Sequence, residues 1–143
     1  MGKIAIIYWS ASGNTEQMAQ AIAEGISQTS NDYELFQVSE FPADRIDEFS
    51  KIAFGCPAMG AEELEQDEFE PVFSALESKL NDKLIALFGS YDWGDGEWMR
   101  LWQDRIKKDN VSLFDDKGLI VHNTPDENDK KTCSTFGMLF AQA

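Results

Sequence analysis

Five short apolar runs alternate with longer segments of helical periodicity, and this alternation constrains the fold more than any other feature of the chain. The runs span residues 4–9, 35–38, 52–56, 84–88 and 119–121. Each is bounded by Gly, Pro, Ser, Asn or Asp, which is typical of strands. Because strands that alternate with helices pair in parallel through crossovers, the sequence predicts an α/β fold: a doubly wound, five-stranded parallel sheet with helices on both faces.

The segments between the runs carry apolar residues at steps of three and four, the spacing of one helix face. They predict helices around 18–26, 69–80, 98–106 and 133–140, and a weaker and shorter helix over 42–49. Trp98 and Trp102 share one face and are expected to pack in the core. A chain of this length forms one domain, residues 1–143.

Acidic residues outnumber basic ones by 26 to 12, which gives a formal net charge of −14. Phosphates and anionic lipid headgroups would be repelled, so neither nucleic acid nor a membrane surface is an expected partner. Any protein partner should present a basic patch, and the charge favours a monomer. The N-terminus reaches the first apolar run without a secretory h-region, which indicates a cytoplasmic protein.

Cys56 and Cys133 lie 77 positions apart, without the spacing of a metal site or a disulfide framework, and are expected to be small buried side chains. The acidic stretch 62–68 is expected to be a solvated loop that enters a helix.

Ligands of doubly wound sheets bind beyond the carboxyl ends of the strands, so the loops after the strands carry the functional information. The first loop supplies hydroxyls, a glycine and the free N–H groups of a helix start, which together can hold a phosphate without a cation. An ordinary helix cap would use the same residue types. The loop lacks the Lys of a P-loop, so a nucleoside triphosphate is not expected. Its residues are Ser10, Ala11, Ser12, Gly13, Asn14 and Thr15.

The two later loops combine glycines with apolar and aromatic side chains. Trp93 stands among glycines in a polar loop, where a flat ligand stacked on it would shelter both surfaces, although it could also be a lid over the strand ends. Met59 offers a polarizable surface and Glu62 an acceptor for a ring N–H. The three loops together predict a site with a phosphate end and a flat aromatic end.

Residues 8–15, 55–60 and 87–99 resemble the flavodoxins, in particular the short-chain type of anaerobic bacteria such as clostridia. The resemblance implies the strand order 2-1-3-4-5, noncovalent binding of FMN, and a role as a low-potential carrier that moves single electrons between redox proteins. It implies no catalytic residues and no metal. The residues that it implies for FMN binding are Ser10, Ala11, Ser12, Gly13, Asn14, Thr15, Pro57, Ala58, Met59, Gly60, Ala61, Glu62, Ser90, Tyr91, Asp92, Trp93 and Gly94.

By this resemblance the first loop holds the FMN phosphate, with Ser90 near the phosphate and ribityl chain, and Trp93 stacks on the outer face of the ring with Met59 inside. The Gly60 peptide would reorient on one-electron reduction, and Glu62 would accept from flavin N3–H. None of the three loops contains Lys or Arg, so negative charge is expected to be unpaired and to disfavour the anionic hydroquinone. The carrier should therefore cycle mainly between semiquinone and hydroquinone.

Three alternatives use the same fold differently. An FMN-dependent reductase of quinones or small substrates would need a substrate site, and His122, the only histidine, has no evident catalytic partner. A receiver domain would end its third strand in Asp, where this chain has Gly55-Cys56-Pro57. A cofactor-free interaction module would leave Trp93 and Met59 without a ligand.

Overall fold

A computed structural model describes residues 3–143. The strands are β1 (Lys3–Tyr8), β2 (Tyr33–Gln37), β3 (Phe49–Gly55), β4 (Leu84–Tyr91), β5 (Ser112–Leu113) and β6 (Leu119–His122). The helices are α1 (Asn14–Ser27), α2 (Phe69–Glu77), α3 (Glu97–Lys108) and α4 (Glu127–Gln142). In the chain from residue 3 onward, no helix is both long and apolar enough to cross a membrane.

The strands form one parallel sheet in the order β2-β1-β3-β4-β5, which confirms the predicted fold class and strand order. The fifth position is divided, because β5 pairs with the start of β4 and β6 pairs with its end. Between them the chain makes a 3₁₀ turn in which Asp115 and Asp116 both adopt positive φ. The predicted last strand is therefore β6, and β5 is a sixth strand that the apolar pattern did not reveal.

Each face of the sheet is covered by its own apolar layer, because successive side chains of a strand point to opposite faces. Ile4 and Ile6 of β1 pack with α1 and α4, whereas Ala5 and Ile7 pack with α2 and α3. Trp98 and Trp102 are buried in the second layer, as predicted. Cys56 and Cys133 are free and buried, also as predicted.

Two predictions are wrong: the short α-helix over 42–49 and the fully solvated loop over 62–68. The segment 42–49 forms a six-residue 3₁₀ helix, Ala43–Glu48, and Phe49 already belongs to β3, where it pairs with Lys3. Only Ile46 of this turn is buried, so it offers no apolar stripe to stabilise an α-helix. The acidic stretch is not wholly solvated either, because Leu64 and Glu65 are each only 6% exposed.

Backbone hydrogen bonds beyond the strand ends hold the functional loops side by side. Trp9 N–H donates to Gly55 O at 3.0 Å and Ala58 N–H donates to Ser90 O at 3.0 Å. Asn123 N–H donates to Tyr91 O at 2.7 Å, which adds the loop after β6. The carboxyl ends of β1, β3, β4 and β6 thus meet at one edge of the sheet.

Candidate functional site

A cleft of about 310 Å³ lies at this edge, between the loops that follow β1, β3 and β4. A volume of this size is at the lower end of the range for small-molecule sites. The structure brings together all but four of the residues expected to bind a cofactor. Those that line the cleft are Ser10, Ala11, Ser12, Asn14, Thr15, Pro57, Ala58, Met59, Gly60, Ser90, Tyr91, Asp92 and Trp93.

The other four expected residues, Gly13, Ala61, Glu62 and Gly94, do not line the cleft directly. Gly13 is the N-cap of α1, with φ 98°, and the side on which a Cβ would project is open space. Its role at the site is therefore to turn the backbone so that the following N–H groups face outward. Glu62 and Gly94 contact each other instead.

The N-terminus of α1 is the polar end of the cleft and is left open by the protein. Within residues 3–143, the backbone N–H groups of 11–15 have no acceptor, and only the next one, Glu16 N–H, donates to Ser10 Oγ at 3.2 Å. The N-cap residue, Gly13, has no side chain that could accept from these N–H groups. Unpaired N–H groups at a helix start, together with the helix dipole, favour an anion.

The other three helices begin against carboxylates. At α2, Glu65 accepts from Asp67, Glu68 and Phe69 N–H at 2.7–2.8 Å. At α3, Glu62 Oε1 accepts from Glu97 N–H at 2.9 Å, across 35 residues of sequence. At α4, Asp126 and Asp129 form a reciprocal capping box. Among the four helices, α1 is therefore the one whose first N–H groups meet no carboxylate from the described chain.

Burial acts to raise the pKa of Glu65, but the three backbone N–H donors outweigh it and hold the pKa below its ordinary value. A carboxylate that accepts several backbone N–H groups is favoured in its charged form. Glu65 is therefore ionised, and it fixes the start of α2 beside the loop that follows β3.

Thr15 fixes the wall of the cleft between its two ends. Its side chain is 1% exposed, and its Oγ1 lies 2.8 Å from the Oγ of Ser90, which is 4% exposed. Ser90 N–H also donates to Thr15 Oγ1 at 3.3 Å. This buried link joins the start of α1 to the end of β4, so the hydroxyls are held at fixed positions rather than being free to rotate.

Thr124, in the loop after β6, was not identified from the sequence. Its Oγ1–H donates to Asn14 Oδ1 at 3.1 Å, so it orients the Asn14 amide at the first turn of α1. The signal was available, because the loop after the last strand must reach the same edge of the sheet as the other loops.

The other end of the cleft is apolar and is formed by Trp93 and by the turn that contains Met59 and Gly60. Trp93 is 57% exposed, although a ring of this size normally seeks cover. Opposite it, Met59 and Glu63 exchange backbone hydrogen bonds at 2.8 and 2.9 Å, and these close a narrow turn around Gly60, Ala61 and Glu62. Gly60 has φ 50°, and a Cβ there would meet only Glu63 Oε1, at 3.7 Å. The space on the side-chain side of Gly60 is therefore open.

Glu62 ties the two aromatic-end loops together. Besides accepting from Glu97 N–H, its carboxyl group lies against Gly94, where a Cβ would come within 2.6 Å of Glu62 Cδ. Gly94 has φ 86°, so it needs glycine both for its backbone and for this contact. The carboxylate expected to accept from a flavin N–H also caps α3, through its Oε1.

The expectation that all acidic groups at the loops are unpaired is wrong for Asp95. Arg100, on the first turns of α3, donates to Asp95 Oδ1 at 2.9 Å and to Asp95 O at 3.0 Å. Arg100 lies outside the loop in sequence, five residues after Asp95, but the start of α3 brings its guanidinium back to that carboxylate. Asp92, which lines the cleft, forms no ion pair among the described residues.

The cleft lacks a nucleophile with a base. His122 is exposed and its Nε2 lies 3.1 Å from Asp92 O, which holds the ring outside the cleft. Burial raises the pKa of Cys56, so its thiol stays protonated. No cluster of potential metal ligands occurs within residues 3–143. What the arrangement offers is binding: amide and hydroxyl donors at one end and an exposed indole at the other, which fits a ligand with a phosphate and a flat ring system.

A larger depression of about 630 Å³ lies between α1 and α4, away from the strand ends. Long polar side chains such as Gln20, Glu24 and Lys131 line it, with no positive-φ glycine among its lining residues. The cleft is the better candidate because it combines unpaired N–H groups with an exposed ring.

Comparison with known proteins agrees with the geometry. A family model described as flavodoxin matches residues 6–136. A flavodoxin of Clostridium beijerinckii is 42% identical over 136 residues, which cover 95% of this chain and 97% of that protein. A flavodoxin of Megasphaera elsdenii is 38% identical, and its two-electron reduced solution structure superimposes with a TM-score of 0.87 over 98% of this chain and 99% of that one.

Proposed function

This chain belongs to the flavodoxin family, so it binds FMN and transfers electrons rather than catalysing a reaction, and we propose that it is a low-potential carrier of single electrons between redox proteins. FMN supplies the redox chemistry and accepts or donates one electron at a time. The proposed working range lies between the one-electron-reduced and the fully reduced cofactor. Its location in the cytoplasm and its organisation as one domain over residues 1–143 stay predictions.

The phosphate of FMN is proposed to bind at the open start of α1. The N–H groups of 11–15 are without acceptors in the described chain, and Ser12 and Thr15 add hydroxyls beside them. These donors are neutral, so they stabilise a phosphate by hydrogen bonds and the helix dipole rather than by an ion pair. The observation that carries the proposal is that these free donors and the exposed Trp93 share one cleft.

The ring system is proposed to lie between Trp93 and Met59. Stacking would cover the exposed indole and exclude water from it. The Gly60 peptide, with its open surroundings, is proposed to turn toward the ring when the redox state changes. Ala61, Glu62 and Gly94 would act from behind this surface, by shaping the turn and joining the two loops.

A low potential is proposed from the charges near the ring. Asp92 lines the cleft, and Glu62 and Glu63 lie at the adjacent turn, in a chain of net charge −14. Adding a second electron brings negative charge next to these carboxylates, and Coulomb repulsion opposes it. Arg100 offsets only the charge of Asp95.

The test is a stepwise anaerobic reduction of the FMN-loaded protein, followed by its absorption spectrum. We expect a stable one-electron-reduced stage before full reduction, with the second potential well below the first. Bleaching in a single two-electron step would overturn the proposal and favour the alternative, a reductase of quinones or small substrates. Failure to bind FMN would remove the assignment of the cleft.

Two variants sharpen this test. Gly60→Ala should reduce the maximum fraction of the one-electron-reduced form, because a Cβ restricts the backbone at φ 50°. Asp92→Asn should raise the second potential, because it removes a charge that faces the cleft. An unchanged potential in Asp92→Asn would exclude this carboxylate as a contributor.

A further inference from the structure

A second, smaller concavity of about 210 Å³ lies beside the cleft, between the loop that follows β3 and helix α3. We call it the α3 groove and define it by Leu64, Trp98, Leu101 and Trp102, with Glu62 and Glu63 on its rim. It is too small for a cofactor and has the size of one large apolar side chain. The cofactor site does not use Leu101 or Trp102.

The α3 groove exposes apolar surface on an otherwise polar helix face. Leu101 is 57% exposed, whereas Trp98 and Trp102 on either side of it are 1% and 2% exposed. The Trp98 indole donates to Cys56 O at 3.1 Å, but the Nε1–H of Trp102 has no acceptor in the described part of the chain. Leu101 therefore leaves an apolar side chain exposed at the edge of the groove, between two buried indoles.

The charge around the α3 groove is negative. Arg105 also borders it, but Glu70 and Glu77 both hold that guanidinium, at 2.7 and 2.8 Å, so its charge is neutralised within the protein. Glu62 and Glu63 on the rim form no ion pair among residues 3–143. A surface that complements the groove therefore carries an apolar side chain with cationic groups beside it.

The α3 groove is linked to the ring end of the cleft through Glu62 and Gly94. Glu62 borders the groove, and its carboxyl group packs against Gly94, the residue that follows Trp93. A protein seated in the groove would therefore lie next to the exposed indole at the ring end of the cleft. Such contact places a partner close to the cofactor without covering the phosphate end.

We propose that the α3 groove is a docking site for a redox partner, which inserts one apolar side chain over Leu101 and places Lys or Arg residues against Glu62 and Glu63. This inference rests on the proposed carrier function, since only a carrier needs a transient partner at this place. Mixed apolar and ionic contact over a small area gives fast association and ready release. Occupation by a second copy of the chain is disfavoured, because both surfaces would present the same carboxylates.

The probe is a pair of synthetic peptides, Lys-Arg-Leu-Arg-Lys and Lys-Arg-Ser-Arg-Lys, titrated into FMN-loaded, ¹⁵N-labelled protein. We expect the leucine peptide to shift the Trp102 indole N–H resonance and the amides of 62–64 and 98–102. The serine peptide should bind at least fivefold more weakly. Equal binding of the two peptides, or shifts confined to the Trp93 indole, would overturn the proposal.

Leu101→Gln is the test variant, and Leu139→Gln is its matched control, because Leu139 is a 53% exposed leucine on α4. Leu101→Gln should weaken the leucine peptide at least fivefold, and Leu139→Gln should leave it unchanged. Concentration-dependent shifts of Trp102 without any peptide would overturn the proposal in favour of self-association. A normal reductive titration of the parent protein, together with no binding of the leucine peptide to that parent protein, would reject the docking site alone, whereas a failed titration of the parent protein would reject the carrier function.

Discussion

Helices α1 and α2 begin at neighbouring loops of the same sheet edge. Among the described residues, the N–H groups at the start of α2 have a carboxylate acceptor, whereas those at the start of α1 do not. The start of α2 is closed, because Glu65 accepts three backbone N–H groups and is only 6% exposed. The start of α1 is open, with a glycine at the N-cap and the preceding N–H groups unpaired in the described structure. A helix N-terminus whose N–H groups have no acceptor within the protein is available to bind an anionic ligand.

The difference shows how an acidic protein can bind a phosphate without a cation. Helices α2, α3 and α4 are capped by carboxylates, which stabilise the fold in the absence of any ligand. At α1 the N-cap is Gly13 and the residues before it include Ser10 and Ser12, so no carboxylate within residues 3–143 accepts from the free N–H groups, although Glu16 lies in the first turn. The stability that α1 lacks is supplied by its packing, since Met18, Ala19, Ile22 and Ile26 are fully buried.

The largest expected effect comes from opening the closed terminus. Glu65→Ala removes the acceptor of three N–H groups and should lower the free energy of unfolding by about 3 kcal/mol, as measured by urea denaturation of the FMN-free protein. FMN affinity at the α1 end should change little. Glu63→Ala, an exposed neighbour, is the control, and an equal loss in both variants would show that the buried cap is not the cause.

Closing the open terminus should have the next largest effect. Ser12→Asp places a carboxylate beside the free N–H groups, which should stabilise the FMN-free protein by about 1 kcal/mol. Repulsion of the phosphate should weaken FMN binding roughly 100-fold, measured by flavin fluorescence titration. Ser12→Asn adds a neutral cap of similar size. If both variants bind FMN equally well, the open terminus does not hold the phosphate.

The link between the two ends of the cleft can be broken at Thr15. Thr15→Val leaves Ser90 N–H and Ser90 Oγ without their buried partner, so the free energy of unfolding should fall by about 1.5 kcal/mol and FMN affinity about tenfold. Thr124→Val, at the exposed bond to Asn14, should change stability by less than about 0.5 kcal/mol. The ranking of the two variants, measured by urea denaturation and FMN titration, is the result that matters.

The smallest expected effect is the pH dependence of the stability that Glu65 contributes at the start of α2. Because the pKa of Glu65 is lowered in the folded protein, its contribution to stability is present above its unfolded pKa, near 4.5, and is lost as pH falls through the folded value. Unfolding free energy of the FMN-free protein should therefore decline below about pH 5. Glu65→Gln should flatten this part of the profile. An identical pH profile in that variant would assign the acid sensitivity to other carboxylates.

Local sequence was sufficient for five of the six strands, for the four α-helices and for the three loops of the cleft. Each of these depends on residues close together in the chain: apolar periodicity, turn glycines and helix-starting residues. It failed where the role of a side chain depends on packing or on how a loop or helix turns in space, even when the partner is near in sequence, as for Glu65 with Phe69 and Arg100 with Asp95. In the sequence, Glu65 cannot be told apart from the other acidic residues of its stretch. Its burial becomes visible only in the structure, where Leu64 and Phe69 are buried as well. Arg100 and Thr124 were overlooked for the same reason.

The sequence by itself determined that this chain forms a doubly wound parallel sheet, and it marked the first loop as a candidate for phosphate binding, because periodicity and loop composition are properties of short segments. Only the tertiary structure decided which N–H groups stay free and which carboxylates are used. Glu62 shows this most clearly: its cap of α3 spans 35 residues, and its contact with Gly94 depends on two loops meeting. Hydrogen bonds act over about 3 Å, so their partners are fixed by distance in space and not by distance along the chain.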